Sequence, residues 1–375
     1  MTVSRTGHRL RAMTIWRARA FAVLLLTFFT CGLTATAATA ADLLLAINKG
    51  DNTLAIVDAA TLKVLGKAPT GPDPHEVVAS ADGKLAYITN YNAGNGVANS
   101  ISVVDLAAMK ALPPIDLGAL SRPHGIALAG GKVYFTAEGA KVVGRYDADT
   151  RRVDWVIGTG QDRTHMVIVS SDQKMLFTTN VSSASVSILE QFTVTRRGGP
   201  PPGTPPPGTP PGAVPGRGGR GAPPPTTDWR VTVVPVGQGA EGFDLSPDGK
   251  ELWVANAQAG SVSIVDVAKK TASTVSVRFR SANRLKFTPD GKYALISDLG
   301  GTEIIVMDVA TRQEIKRIDV GGGAAGIQIS ADGSRAFAAV GSQNGVAIID
   351  LKALQMTGRV ATGPGPDGLA WVAGR

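Results

Sequence analysis

A turn motif that returns at a fixed spacing, a glycine-rich composition and two complementary chain ends predict the fold class. It is all-β: a seven-bladed β-propeller of four-stranded blades, the closing blade shared by the N- and C-termini. Glycine supplies 45 of 375 residues while only 18% are charged, a balance that favours tight turns between short strands. The turn is written Ala81-Asp82-Gly83, Pro247-Asp248-Gly249, Pro289-Asp290-Gly291 and Ala331-Asp332-Gly333. Proline presets φ, Asp bonds nearby backbone and Gly takes positive φ, so each copy closes a hairpin. Seven residues before the turn position lie His75, His165, Glu241, Asn283 and Ala325, the anchors of the repeat. His124 fits with one residue deleted, Asp367 opens a last copy, and the final four anchors are 42 residues apart.

The elements follow in chain order. Residues 1–40 carry Arg5, Arg9, Arg11, Arg17 and Arg19 ahead of an apolar run from Phe21 to Leu33, then Ala38-Thr39-Ala40. This is the pattern of a cleaved signal peptide, with the mature chain starting at Ala41. A periplasmic or secreted protein without stable membrane insertion is expected. Cys31, the only cysteine, falls in that run, so the mature chain would lack thiol redox chemistry, cysteine metal sites and attached c-type haem. Residues 41–375 form the propeller. Asp42 to Gly71 holds three strands, ending at Asn48, Asp58 and Thr70, with no inner strand before them. In the full units the second strand ends at Asn90, Glu138, Asn180, Asn256, Asp298 and Val340, and the third at Asp105, Asp147, Glu190, Asp266, Asp308 and Asp350. Pro366 to Val372 is an inner strand with nothing after it, so it completes the first blade and removes an open edge.

Residues 196–227 interrupt the third anchored unit, that of His165. Positions 198–225 hold 12 of the 23 prolines and 9 glycines, a composition predicted to be a disordered Pro/Gly/Arg-rich insert. It leaves between the third and outer strands, on the face opposite the anchors, and a docking arm for an envelope protein is the functional alternative to a tolerated insertion. The formal charge of +8 also resolves by segment. The leader contributes five arginines and the insert four, none balanced by an acid, which leaves a near-neutral body. No nucleic-acid partner is expected, and a monomer is.

Tyr87-Ile88-Thr89-Asn90 nearly spells a known repeat motif, and with the units above the chain resembles the YVTN-repeat β-propeller family, including its YncE-like exported members. The resemblance covers residues 42–375 apart from the insert. It implies the propeller fold and no particular chemistry, because fold does not carry function.

Three of the four histidines, His75, His124 and His165, fall on consecutive anchors, followed by Glu241, Asn283, Ala325 and Asp367. Each anchor starts an inner strand, so the set is expected where the central channel opens. Three imidazoles and a carboxylate suit zinc or copper, giving His75, His124, His165 and Glu241 as candidate metal ligands. A metal-free polar funnel is the other reading. Arg122, Arg163 and Arg284, within two residues of anchors, join Asn283 and Asp367 as candidate ligand-binding residues and suit a small anion. Pairing with Asp73, Asp162 or Glu76 is the competing role for the arginines. The function expected is a binding module for a small ligand, metal or partner, more a non-enzyme than an enzyme. The alternative is a metal-dependent, lactonase-like hydrolase at the same mouth. His75-Glu76 does not extend to a zincin motif, since Ala79 stands where the second His belongs, and no nucleophile elbow or phosphate loop is present.

Overall fold

The structure, a computed structural model, describes residues 41–93, 96–195 and 224–374. The predicted signal peptide and nearly all of the predicted insert lie outside the described residues. Among the described residues there are seven antiparallel four-stranded sheets and no α-helix. Six sheets take four consecutive strands each, and the seventh joins Pro366–Val372 to Leu43–Asn48, Thr53–Asp58 and Val64–Pro69. This is the expected propeller, with the closing blade shared by both ends. No helix among the described residues is long and apolar enough to cross a membrane.

We number the shared sheet blade 1 and continue along the chain. The inner strands of blades 2 to 7 are Pro74–Ala79, Pro123–Ala129, Thr164–Val169, Ala240–Leu245, Ala282–Phe287 and Ala324–Ile329. The core lies between sheets. Leu295, Ile304 and Val306 of blade 6 pack with Ala336, Ala338 and Ile349 of blade 7, all fully buried. The turn chemistry matches expectation: Gly83, Gly249, Gly291 and Gly333 have φ near +70 (70, 73, 69 and 69°), and Asp82 Oδ1 accepts from Ser80 Oγ at 2.6 Å and Lys84 N at 3.1 Å.

Two residues of the repeat motif have separate mechanical roles. The fifth residue of the second strand reaches the next blade. Thr89 Oγ1 donates to His124 O (2.7 Å), Thr136 to His165 O (2.6 Å), Thr179 to Glu241 O (2.8 Å) and Ser297 to Ala325 O (2.6 Å). These hydroxyls hold the anchor backbones across the blade junctions. The sixth residue works within its own blade: Asn90 Nδ2 donates to Ser100 and Ser102, Asn180 to Ser185 and Ser187, and Asn256 to Ser261 and Ser263.

Three boundaries differ from expectation. The second strand of blade 3 stops at Ala137, so Glu138 lies one residue beyond it; the deleted turn residue shifted the apparent register. In blade 4 the outer hairpin is longer than its counterparts, running to the pair Val194↔Thr226, so Thr226 and Thr227 belong to a strand rather than to the insert. In blade 2 the hairpin Leu85–Ala93 and Gly96–Asp105 extends past Asn90, with Asn92 opposite Val97.

Candidate functional site

Each of the seven inner strands begins the same way. Its first residue pairs with the second strand, the next two bulge out of register, and pairing resumes at the fourth, as in Pro74↔Asn90 followed by Val77↔Ile88. The same shift follows Pro123, Thr164, Ala240, Ala282 and Ala324, and Pro366↔Asn48 precedes a shift in blade 1. A bulge re-aims side chains at a strand end, and here it turns the anchor toward the axis. All seven anchors, His75, His124, His165, Glu241, Asn283, Ala325 and Asp367, line one cavity of about 360 Å³. Its wall is completed by Lys49, Tyr91, Arg163, Arg284, Leu299, Gly341, Gly365 and Pro366.

The residue after each anchor sets how closely neighbouring blades approach. Where it is glycine a Cβ would meet the next anchor's carbonyl: 2.5 Å from His165 O at Gly125, 2.3 Å from Asn283 O at Gly242 and 2.2 Å from Asp367 O at Gly326. Gly368 meets His75 O at 2.3 Å in the same way. At the other three blades the position holds Glu76, Met166 and Arg284, and the inner strands there share fewer close approaches. Arg284 and Glu76, from blades 6 and 2, form an ion pair across the axis, with Arg284 Nε 3.0 Å from Glu76 Oε1. The pair floors the mouth, and a second chamber of about 330 Å³ lies beyond it.

The histidines form a packed row. His75 and His124 have ring centroids 4.7 Å apart, and His124 lies 3.7 Å from His165, the two rings tilted by 32°. His165 is almost fully buried. Its Nδ1 meets Glu138 Oε1 at 2.5 Å, and its Nε2 lies 2.9 Å from Glu241 Oε1, close enough for an ion pair but poorly aligned for a hydrogen bond. Burial alone lowers its affinity for a proton, yet Glu241 and Glu138 together outweigh this and raise its pKa above the ordinary imidazole value. Burial would raise the Glu241 carboxyl, but the His165 charge and contact bring it down to about 2. His124 is pushed well below the ordinary value by burial and then by the neighbouring His165 charge. The two shifts run in opposite directions, favouring a proton on His165 and a neutral His124. His124 makes no hydrogen bond through either ring nitrogen among the described residues, and its Nδ1 is buried without a partner. His75 is lowered by burial and by Lys49, whose Nζ lies 2.8 Å from His75 Nε2, 3.1 Å from Asp73 Oδ1 and 3.5 Å from Asp367 Oδ2.

The candidates from the sequence thus separate. The proposed metal ligands share one cavity, but His165 and Glu241 are engaged with each other, and among the described residues no three His, Cys, Asp or Glu side chains converge as a metal site. Arg284 is committed to Glu76 and to Asn283 Oδ1 (3.2 Å), the pairing role rather than a free anion contact. Arg163 stands at the rim with Nε 3.7 Å from Glu138. Arg122 lies outside the cavity wall, its guanidinium 5.7 Å from the Tyr91 ring. Both hold left-handed backbone, φ 56° and 55°, where Gly239 and Gly365 stand in two other blades. Sequence reading missed Lys49, Tyr91 and the inward role of Glu138, all at the seventh position counted from the start of a second strand. Tyr91 Oη donates to Glu138 Oε2 at 2.5 Å, and burial with that carboxylate pushes its pKa up to about 12. The ten-residue step from Asn90 to Ser100, against five from Asn180 to Ser185, was the available signal for an extended hairpin.

No family profile matches the sequence, and no curated protein matches it. Solved structures do. A protein of unknown function from Desulfotomaculum acetoxidans superposes with a TM-score of 0.66 at 11% identity over 88% of this chain and 98% of its own. A putative 6-phosphogluconolactonase from Bacteroides fragilis gives 0.63 at 16% over 89% and 98%, and hydrazine synthase from Kuenenia stuttgartiensis 0.62 at 18% over 80% and 90%. Similarity at these identities shows the fold alone.

Proposed function

We propose that the protein is a binding propeller whose anchor mouth takes a small polar ligand. The observation that carries this is His124: a neutral, buried imidazole on a cavity wall with no hydrogen-bond partner, in a structure where the other ionic groups of the mouth are paired. A buried polar group without a partner is costly, so a ligand that bonds it gains affinity. Arg163 at the rim suits a carboxylate or phosphate on the outer end of the same ligand. The test is calorimetric titration with small hydroxy-carboxylates and sugar phosphates against the protein and His124→Ala. Saturable binding that the substitution weakens at least tenfold is expected; unchanged binding in the variant would refute the role.

Zinc or copper at His75, His124, His165 and Glu241 is a narrower proposal, since the ion must first displace the His165–Glu241 contact. Metal titration of the same two proteins decides it. Hydrolysis is the second reading, for which the mouth offers His124 and Glu241 as the groups to take a proton from water, both held below their ordinary basicity. Lactone turnover abolished in His124→Ala would move the assignment to an enzyme. Membership of the YVTN-repeat family and export to the periplasm or medium are also proposals, resting on Tyr87–Asn90 and on residues 1–40. Intact-mass measurement of the native protein, expected to begin at Ala41, tests the second.

A further inference from the structure

At the outer junctions between blades a turn residue of one blade reaches toward the blade before it. In six blades the residue closing the turn between the third and outer strands holds left-handed backbone: Leu62, Met109, Arg151, Lys270, Arg312 and Leu354 have φ of 60, 54, 56, 57, 58 and 50°. In four of them a residue of the preceding blade matches it in kind. Arg312 of blade 6 meets Glu251 of blade 5 at 2.7 Å, and Lys270 of blade 5 pairs with Glu190 of blade 4. Leu354 packs in the same apolar cluster as Tyr293, and Met109 in the same cluster as Leu43. At the junction of blades 2 and 3 the register that holds Glu251 in blade 5 holds Leu85, as the pairs Glu251↔Asp266 and Leu85↔Asp105 show. Arg151 and this Leu85, where Arg312 has Glu251, line one groove. Neither Arg151 nor the adjacent Arg152 meets a carboxylate among the described residues.

The mismatch coincides with a groove of about 740 Å³ on the rim. Leu85, Tyr87, Val103 and Tyr146 line it, with Arg151 and Arg152 at one end. At the other end Asp116 already accepts from Gly118 N at 2.9 Å. One wall is the outer strand Lys110–Asp116, where Pro113 and Pro114 remove two backbone donors. An occupant is then held by side chains rather than added as a regular strand. Tyrosine and arginine around an apolar floor is the composition of an interaction hot spot.

We propose that this groove docks an extended peptide segment of a partner protein, apolar in its middle and acidic at the end that meets Arg151 and Arg152. Charge complementarity selects this occupant. The chain's own insert carries arginines and no acid, which the same two arginines would repel.

The test uses fluorescein-labelled peptides on the full chain. The probe is Glu-Glu-Leu-Pro-Leu, with Lys-Lys-Leu-Pro-Leu and Glu-Glu-Ser-Gly-Ser as controls. The first is expected to bind at least tenfold tighter than either control, with affinity falling as salt rises. R151E/R152E should abolish binding. Leu85→Glu should weaken it at least tenfold by restoring to Arg151 the bridge that Glu251 gives Arg312, and thermal melts verify that both variants fold. Equal binding of all three peptides, binding that survives either variant, or no binding of the first peptide up to millimolar concentration would overturn the proposal. So would self-association of the chain that R151E/R152E abolishes, since that assigns the groove to a second copy.

Discussion

Thr136 shows how one hydroxyl joins two levels of the structure. It is fully buried, accepts from Gly125 N at 2.8 Å and donates to His165 O, so it ties the bulge of its own blade to the anchor of the next. Thr136→Val keeps the shape and removes both bonds, leaving a buried carbonyl and amide without that partner. A loss of about 1–3 kcal/mol in urea unfolding is expected. His124 supplies a second prediction, with its sign fixed by direction. Its folded pKa lies below 6.5, so the unfolded chain binds the proton better; its stabilising effect is complete above that pH and declines as pH falls. His75 acts in the same direction, whereas the raised His165 favours the folded state at low pH and loses that contribution as pH rises. Between pH 6.5 and 5.5 stability should therefore fall, by about 1 kcal/mol for each group that fails to protonate. His124→Gln should remove one such slope, and an unchanged slope would show that His124 stays accessible to protons.

At the scale of the strand, the inner edge explains why the site is uneven although the repeat is regular. Glycine after the anchor draws blades together at Gly125, Gly242, Gly326 and Gly368, while Glu76, Met166 and Arg284 hold them apart. Gly326→Ala places a methyl 2.2 Å from Asp367 O, a backbone atom that cannot swing aside. A loss of about 1–3 kcal/mol is expected, together with weaker ligand binding because Asp367 must shift. Titration and urea midpoints on the same sample check both. This edge also marks how far the sequence was legible. The anchors were visible because one register repeats, and the hydroxyl ties lie inside the same motif. Lys49, Tyr91 and Glu138 were not, because they follow the sixth strand residue that closes the repeat motif, and a deletion in blade 3 and an extended hairpin in blade 2 further obscured Glu138 and Tyr91. The opposition of Arg284 and Glu76 across the axis depends on ring geometry, which no local pattern of residues encodes.

For the whole molecule the decisive contact is closure. Pro366–Val372 pairs with Leu43–Asn48 along nearly its full length, from Leu43↔Val372 to Asn48↔Pro366. It also enters two cores at once: Ala370 and Val372 pack with Val77 and Ile88 of blade 2, and Leu369 and Trp371 with Phe337 and Val346 of blade 7. Removing residues 363–375 would uncover both cores and leave Leu43–Asn48 as an apolar open edge, which pairs readily with other chains. It would also delete Asp367, one of the two carboxylates around Lys49. Because each blade is held mainly by its neighbours, a ring opened at one junction loses support on both sides rather than a seventh of its stability. The truncated chain is expected to aggregate or to lose its cooperative thermal transition. A synthetic peptide of residues 363–375 added in trans should restore part of it. A soluble truncated protein melting within a few degrees of the full chain would show instead that the six complete blades hold the ring without its closing strand.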